Sequence, residues 1–233
     1  MTEALYLTDS YLRCFDAHVI AVIEEQSAVL LDRSAFYPGG GGQPGDTGVL
    51  RVDDQELPVT QVKRGNLHIV EGALPTIGAV MQGELDWERR YQLMRTHSAM
   101  HILCGVVWRD YGASVTGGNM QPLRGRMDFE FERMEKDLVA EIEAAINVEV
   151  SAERDILVNI LPREEAFQIP DLIRTKINLL PEGIKEVRTV EIIGLDLQAD
   201  GGTHVANTRE IGPLQIAEYR SKGRINKRIT LQL

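Results

Sequence analysis

Short runs of β-forming residues, in which apolar and polar positions tend to alternate, dominate residues 12–85 of the chain. Alternation places every second side chain on one face of a strand, so it predicts half-buried β-strands. Turns that contain glycine or proline separate six such runs, which are Cys14–Ile23, Ser27–Arg33, Val49–Val52, Leu57–Val62, Asn66–Val70 and Ala79–Leu85. Several short strands at this spacing favour a small β-barrel or a sandwich.

Helical spacing replaces this pattern after residue 86. From Trp87 to Tyr111 the apolar residues recur every three or four positions, and Gly112 suits a helix end. A second amphipathic helix is predicted at Arg133–Val150. Strands are predicted between and after these helices, at Arg124–Phe131, Ile156–Leu161, Val187–Ile193, Leu214–Tyr219 and the C-terminal tail R-I-T-L-Q-L.

This mixture of helices and strands predicts an α+β fold for the second part of the chain. We place the domain boundary where the pattern changes, which gives a domain of short strands, a barrel or a sandwich, over residues 1–86 and an α+β domain over residues 87–233. A length of 233 residues with 43% hydrophobic and 26% charged residues is ordinary for a globular protein.

The sequence also bears on the compartment. No run approaches the roughly 18–20 apolar residues of a membrane span. The N-terminus, M-T-E-A-L-Y-L-T-D, lacks the basic region and apolar run of a signal peptide. The two cysteines, Cys14 and Cys104, do not make a disulfide scaffold. We therefore expect a cytoplasmic protein with reduced thiols and no membrane partner.

The net charge of the chain is acidic, but basic residues are concentrated in two short segments. A net charge of −10 argues against a protein that wraps nucleic acid over its whole surface. However, residues 220–233 contain no acid, and Arg89, Arg90 and Arg95 cluster before the first histidine pair. The basic residues of that C-terminal segment are Arg220, Lys222, Arg224, Lys227 and Arg228. Such strips are either solvated surface or a local RNA-binding face.

Three of the five histidines form the strongest chemical signal. His97 and His101, in R-T-H-S-A-M-H, are four residues apart and therefore lie on one helix face, about 6 Å apart along the axis. His204 follows in D-G-G-T-H, four residues after Asp200. Two imidazoles from a helix and one from a distant loop suit a divalent ion, above all zinc.

Other interpretations of these residues remain open at this point. A buried histidine pair also packs well against a carboxylate or a backbone carbonyl. Ser98 stands where a zinc protease of the H-E-x-x-H type needs its glutamate, so that class is excluded. Cys104 is about 10 Å from His97 along a straight helix, too far to share one ion, so we interpret it as a core residue.

A glycine-rich run, F-Y-P-G-G-G-G-Q-P-G-D-T-G, separates the second and third predicted strands. It has neither the Gly-Lys-Ser/Thr of a P-loop nor the spacing of a dinucleotide fingerprint, which excludes a nucleotide-triphosphate site of those kinds. It is either a flexible turn or a backbone surface that lies against a ligand, since glycines expose their N–H groups.

Five motifs in this order resemble a known family: the glycine-rich run, R-T-H-S-A-M-H, R-M-D-F-E-F, D-G-G-T-H-V-A-N-T-R-E-I-G and S-K-G-R-I-N-K-R-I. The chain resembles the editing half of alanyl-tRNA synthetase and its free-standing relatives, the AlaX-type editing proteins of the medium-sized class. The resemblance runs from about residue 10 to the end. It implies a barrel like those of translation factors and an α+β editing domain shared with threonyl-tRNA synthetase.

The resemblance also implies a site and a cofactor. One zinc ion per chain would be held by His97, His101, residue 200 and His204. The commonest family pattern at the last two positions is C-G-G-T-H, whereas here Asp200 replaces the cysteine. Asp200 either binds zinc through a carboxylate oxygen, or stands beside an open fourth position and orients a ligand or handles a proton.

The activity implied is hydrolysis of the aminoacyl ester of tRNA(Ala) that carries serine, and also of tRNA(Ala) that carries glycine, while Ala-tRNA(Ala) is spared. Zinc would polarise the ester carbonyl, lower the pKa of a bound water or anchor the substrate amino group. Thr116 matches a polar position that the family places beside the aminoacyl side chain, where a hydroxyl distinguishes serine from alanine. Thr96 is a second candidate and Thr203 a third, so the catalytic candidates are Thr116, Thr96 and Asp200.

The expected partner is tRNA, with no obligate protein partner indicated. The predicted tRNA or substrate contacts are Gly40, Gly41, Gly42, Gln43, Asp46, Arg95, Arg224, Lys227 and Arg228. Arg89 and Arg90 are also expected to approach phosphates. Two alternatives remain: a hydrolase for another mischarged tRNA, and a tRNA-binding module whose catalytic site has decayed.

Overall fold

The computed structural model describes residues 2–131, 135–174 and 183–233. The chain divides into two compact units, Met1–Met94 and Arg95–Leu233. The division falls inside helix α1 (Trp87–Tyr111), whereas the sequence pattern placed it at the first residue of that helix. None of the helices in the described ranges combines the length and the apolar character needed to cross a membrane.

The N-terminal unit is built around a closed barrel of six antiparallel strands in the order β2-β3-β7-β6-β5-β8. A short strand outside the barrel, β1, pairs in parallel with β4. The strands are β1 (Glu3–Ala4), β2 (Cys14–Ile23), β3 (Ala28–Leu31), β4 (Arg33–Ser34), β5 (Gly48–Val52), β6 (Gln55–Lys63), β7 (Leu67–Val70) and β8 (Val80–Leu85), with 3-10 turns at Leu5–Leu7 and Glu24–Gln26.

Side chains from alternate positions along the strands fill the interior of the barrel. In β2 and β8 every second residue is buried, so Phe15, Val19 and Met81 point into a core that β3, β5, β6 and β7 complete. Gly83 lies opposite Phe15 on the neighbouring strand, and a Cβ atom there would approach the Phe15 ring to 2.4 Å. Glycine at position 83 therefore leaves the room that the aromatic ring of Phe15 occupies.

The C-terminal unit contains two sheets and the helices that cover them. One sheet has four strands in the order β14-β15-β10-β9, and the other has three in the order β11-β12-β13. The elements are β9 (Val115–Gln121), β10 (Arg124–Glu130), α2 (Lys136–Ser151), β11 (Ile156–Pro162), α3 (Arg163–Ala166), β12 (Glu186–Ile192), β13 (Asp196–Ala199), a 3-10 turn (Thr208–Glu210), β14 (Gln215–Ser221) and β15 (Asn226–Gln232).

Helix α1 and the four-stranded sheet pack closely where the sheet lacks side chains. A Cβ atom on Gly125 would meet Met100 Sδ at 2.8 Å, and one on Gly118 would meet Met100 Cε at 3.2 Å. Thr96 fixes the same contact, because its Oγ1 accepts a hydrogen bond from the Leu123 N–H in the β9–β10 turn at 2.9 Å. The helix segment that carries His97 and His101 is thus held against the sheet.

The α+β fold and its barrel are confirmed, and most strands match their predicted runs within two residues. Strand β9 was missed, since V-T-G-G-N has no apolar alternation, and so were β13 and the two-residue strands β1 and β4 as separate elements. Helix α2 begins at Lys136, and its predicted start, Arg133, lies outside the described residues.

A buried histidine makes the stability of the barrel depend on pH. His68 Nε2 lies 2.8 Å from Ser34 Oγ, and His68 Nδ1 lies 3.3 Å from the Val29 carbonyl. Burial lowers the pKa of His68 from 6.5 to about 4, against the opposing effect of the Val29 hydrogen bond. In the unfolded chain His68 is therefore protonated below about pH 6.5, whereas in the folded barrel it stays neutral down to about pH 4.

We expect the free energy of unfolding to fall as the pH drops from 7 towards 4, with His68 contributing roughly 3 kcal/mol of the loss. Denaturant titrations of wild-type protein and His68→Gln at several pH values measure this contribution. The control is Gln82→Ala, a change at an exposed, uncharged position on strand β8 of the same barrel, which should keep the wild-type pH dependence. An unchanged pH dependence in His68→Gln would contradict the assignment.

Candidate metal centre

Helix α1 supplies two of the four candidate donors. The helix begins after Asp86, whose Oδ1 accepts the Arg89 N–H at 3.1 Å, as an N-cap residue does. About three turns later His97 and His101 follow at the i, i+4 spacing, both buried. A regular helix therefore fixes the separation of these imidazoles without help from the rest of the site.

A loop after β13 supplies the other two donors. Asp200 begins it, and the Asp200 carboxylate accepts the Gly202 N–H at 2.7 Å, which turns the chain back within two residues. The loop ends in a capping box, in which Asn207 Oδ1 accepts the Arg209 N–H and Glu210 accepts the Asn207 N–H. His204 lies between these two anchors, so its position does not depend on a flexible segment.

The four side chains converge on one point. One donor atom from each of His97, His101, Asp200 and His204 lies within 4.8 Å of the others. Nε2 of His204 is 3.0 Å from Asp200 Oδ2, and Nε2 of His97 is 3.5 Å from Asp200 Oδ1. Ligands on a tetrahedral zinc ion at bond lengths of about 2.0–2.1 Å stand about 3.3 Å apart, so these separations fit such an ion.

The protonation states also suit a metal. Burial lowers the pKa of His97 to about 4 and, with the charge of His97, holds the pKa of His204 well below its usual value. Burial raises the pKa of Asp200, but the charge of His97 and the hydrogen bond from His204 outweigh it and hold that pKa well below its usual value. Neutral imidazoles at His97 and His204 and an ionised carboxylate at Asp200 are the forms that bind a cation, whereas His101, whose pKa is raised, would have to lose its proton to bind one.

Polar groups outside the cluster orient the donors. Ser98 Oγ lies 3.1 Å from His204 Nδ1 and accepts the Val205 N–H at 3.2 Å. Asp196 Oδ2 lies 3.3 Å from His101 Nδ1, which leaves Nε2 of His101 to face the cluster. Burial lowers the pKa of His101, but Asp196 and Asp200 outweigh it, so the net shift is upward.

One buried arginine, Arg188, and one partly buried arginine, Arg174, balance the carboxylates. Arg188 donates to the Asp200 backbone carbonyl at 2.9 Å, and its Nη1 lies 3.7 Å from Asp200 Oδ2. Arg174 Nε lies 3.5 Å from Asp196 Oδ1. A centre of three imidazoles and one carboxylate, in which His101, His204 and Asp200 each have a partner outside the cluster, has the composition of a protein zinc site.

Two family models match this chain. Residues 13–89 match the model described as tRNA synthetases class II (A), and residues 187–230 match the threonyl and alanyl tRNA synthetase second additional domain. The alanyl-tRNA editing protein AlaX-M of Saccharolobus solfataricus is 41% identical over 98% of this chain and 98% of its own length. AlaX-M of Methanosarcina acetivorans is 36% identical over 100% of this chain and 99% of its own length.

The chain belongs to the AlaX-M family of alanyl-tRNA editing proteins. The alanine–tRNA ligase of Pyrobaculum neutrophilum is 38% identical over 92% of this chain, but the match covers only 25% of the ligase. This AlaX-M chain is therefore similar to the free-standing proteins from end to end, and to one quarter of the synthetase.

The predicted threonines occupy different environments in this AlaX-M chain. Thr96 is fully buried and holds the β9–β10 turn, as described above. Thr116 is exposed on β9, and its hydroxyl donates to Asn226 Oδ1 at 3.1 Å. Thr203 is buried beside His204. Their catalytic or specificity roles stay predictions.

The glycine-rich loop is a well-ordered turn in the N-terminal unit. Gly40 and Gln43 exchange two backbone hydrogen bonds, of 3.0 and 2.9 Å, across Gly41 and Gly42. All four glycines from 39 to 42 have positive φ, a conformation that other residues rarely adopt. Gly40 and Gly41 are exposed at the tip, so their role in binding stays a prediction.

Asp46 lies beneath that loop and is committed to internal partners. Its carboxylate accepts the Tyr37 N–H at 2.6 Å and pairs with Arg90, whose Nε lies 3.0 Å from both oxygens. Arg90 is completely buried and also donates to the carbonyls of Ala35 and Ser10. These contacts give both side chains, which are almost completely buried, a structural task. Their contact with tRNA, which the sequence suggested, stays a prediction.

The remaining basic candidates differ in their internal hydrogen bonds and in their exposure. Arg95 donates to the Ile211 carbonyl at 2.7 Å, and Lys227 Nζ donates to the carbonyls of Gly223 and Arg224. Arg228 forms two hydrogen bonds with Asp128, at 2.6 and 2.7 Å. The Arg224 side chain is exposed in the β14–β15 hairpin loop. Their contact with tRNA stays a prediction for all four.

Sequence reasoning missed the residues that orient the donors. Ser98 was noted only as a residue that is not glutamate, although it directly follows His97 and contacts His204. Asp196 and Arg188 carried no signal, because neither stands at a recognisable spacing from a histidine. Only the folded chain brings them to the outer side of the cluster.

Replacing Asp196 with Asn should lower the affinity for zinc by about 10- to 100-fold, because His101 loses the carboxylate that orients its ring. Ser98→Ala should act in the same direction through His204. Competition with a chromophoric chelator measures both effects, and circular dichroism checks the fold. Glu88→Gln, a change at an exposed position on the same helix, is the control with wild-type affinity. Wild-type affinity in both Asp196→Asn and Ser98→Ala would refute the orienting role.

Proposed function

We propose that the protein is a zinc-dependent trans-editing hydrolase that deacylates tRNA(Ala) charged with serine, with Gly-tRNA(Ala) as a second substrate and Ala-tRNA(Ala) spared. The observation that carries this proposal is the buried His97, His101, Asp200 and His204 cluster in a chain that matches alanyl-tRNA editing proteins over its whole length. Deacylation is hydrolysis of an ester and needs no ATP.

His97, His101 and His204 would hold the zinc, with Asp200 as the fourth ligand. The distances of 3.0 and 3.5 Å from Asp200 oxygens to two imidazole nitrogens support ligation, because they equal ligand-to-ligand distances on zinc. When bound, zinc supplies a Lewis acid for an ester carbonyl or a water. Gly202 and Arg188 keep the carboxylate in place, and Ser98 and Asp196 keep the rings in place.

Discrimination between serine and alanine requires a polar group that only the serine hydroxyl satisfies. We assign this role to Thr116 rather than Thr96. The Thr96 hydroxyl already accepts a backbone hydrogen bond and is fully buried, whereas Thr116 is exposed and faces Asn226. A site that pairs with a substrate hydroxyl rejects an analogue without one, since the polar group would stay unmet.

The purified protein should release serine from Ser-tRNA(Ala) and leave Ala-tRNA(Ala) intact, and a chelator should abolish the activity. His101→Ala should lose zinc and reduce deacylation by more than about a hundredfold, because loss of a ligand exceeds loss of an orienting partner. A panel of mischarged tRNAs, with metal content measured in parallel, tests this. His18→Gln, a change in an exposed imidazole of the barrel, is the control.

The same panel separates the other functions. Hydrolysis of a different mischarged tRNA would assign another substrate, and tRNA binding without turnover or metal would assign a non-catalytic module. Full deacylation by metal-free His101→Ala protein would rule out the zinc mechanism.

Substitutions of Asp200 distinguish a ligand from a neighbouring group. If Asp200 is a ligand, Asp200→Asn should weaken zinc binding by at least about tenfold, because the anionic oxygen is lost. Asp200→Cys should keep the metal, and after cobalt substitution it should show thiolate-to-metal absorption that the wild type lacks. Normal zinc affinity with a lowered kcat in Asp200→Asn would instead place Asp200 beside an open coordination position.

A further inference from the structure

The four-stranded sheet of the C-terminal unit has one covered face and one open face. Met100 of α1 packs against Gly118 and Gly125 on the covered face, where Ile229 and Leu231 are also buried. Side chains of the alternate positions point away from this packing. The strand register places Asn119, Arg126, Thr230 and Glu218 in one row across the open face.

The open face carries four arginines. Arg228 and Arg220 lie opposite each other on β15 and β14, and Arg124 and Arg126 lie on β10. They surround a shallow hollow of about 200 Å³, which Asn119, Gln121 and Thr230 also line. Arg124 and Arg220 are exposed, and Arg126 is partly exposed. None of the residues that line the hollow is aromatic.

Two carboxylates organise this face without neutralising it. Asp128 binds Arg228 through two hydrogen bonds and lies 3.7 Å from Arg126, and Glu218 lies 3.7 Å from Arg220. Around the hollow, the four guanidiniums and the carboxylates of Asp128 and Glu218 leave an excess of two positive charges, on a protein whose net charge is −10. The local charge around the hollow is thus positive, whereas the net charge of the chain is negative.

The chemistry of the face suits the sugar–phosphate backbone of RNA. Guanidiniums bind phosphate oxygens through paired N–H groups, and residues two apart on a strand stand about 7 Å apart. Exposed amide side chains between them, those of Asn119 and Gln121, can hydrogen-bond 2′-hydroxyls. Without aromatic side chains in the hollow there is no platform for stacked bases, so contact with the backbone is favoured over contact with single-stranded bases.

We propose that the open face formed by Arg124, Arg126, Arg220 and Arg228 binds backbone phosphates of the tRNA. This inference rests on the proposed function, because it takes the substrate to be a tRNA. The face binds RNA regardless of its base sequence, and it contributes affinity rather than catalysis. Deacylation chemistry stays with the histidine cluster.

The first test measures the binding of uncharged tRNA(Ala) at several salt concentrations. Arg124→Gln/Arg126→Gln should weaken binding by about tenfold near 0.1 M salt and lower the slope of log affinity against log salt by about two. The matched control is Lys63→Gln/Arg64→Gln, which removes the same charge from exposed positions on the barrel. Equal affinities and equal salt slopes in the wild type and the arginine variant would overturn the proposal.

A second pair of variants reverses the sign of the effect. Arg220→Gln should weaken tRNA binding, whereas Glu218→Gln, which removes its partner carboxylate, should strengthen it about threefold. Both positions are exposed, so neither substitution should disturb the fold. If Glu218→Gln weakens binding as much as Arg220→Gln, the pair has a structural role and the electrostatic proposal is wrong.

Kinetics separate this inference from the proposed function. With Ser-tRNA(Ala), the arginine variants should raise KM and leave kcat and zinc content unchanged. If the wild type binds tRNA through this face but hydrolyses no mischarged tRNA, the proposed function fails and the surface stands. If the wild type deacylates Ser-tRNA(Ala) and the arginine variants match it in KM, the surface fails and the function stands.

Discussion

One carboxylate and three imidazoles share a space from which water is largely excluded, and the architecture of the C-terminal unit is organised around that cluster. A buried charge without partners destabilises a fold by several kcal/mol. Asp200 obtains its partners from His97 and His204, from the Gly202 N–H and from Arg188. A divalent ion at the centre would engage the lone pairs that these contacts leave, which is why the cluster favours metal binding.

The site combines a regular helix with an irregular loop, and the two are held in place by different contacts. Helix α1 sets the spacing of His97 and His101 through its own hydrogen bonds and is fixed to the sheet through Thr96 and Met100. The loop with Asp200 and His204 has no such regular ladder. It is held instead by the Asp200 turn at one end and the Asn207 capping box at the other, so that both halves present their donors from fixed positions.

The chain builds two exposed surfaces by opposite means. In the N-terminal unit, four glycines with positive φ form a tip made of backbone, which the buried Arg90–Asp46 pair anchors from below. In the C-terminal unit, the open sheet face carries long arginine side chains, of which Arg228 pairs with Asp128 and Arg220 lies close to Glu218. A backbone surface offers N–H groups in a fixed geometry, whereas arginines offer charge that adapts to the partner.

The sequence by itself determined the elements and the chemistry that depend on local order. Periodicity located α1 and the barrel strands, and the i, i+4 spacing placed His97 and His101 on one face, because such patterns act within a few residues. Tertiary structure alone decided the rest. Asp196 and Ser98 meet the histidines, Arg188 meets Asp200 and Asp128 meets Arg228 only after distant strands and helices pack. Strand β9 also escaped prediction, since its Gly118 makes room for Met100 and supplies no apolar side chain to a pattern. Long-range contacts of this kind carry no period in the sequence, because they are selected by shape and charge in the folded chain.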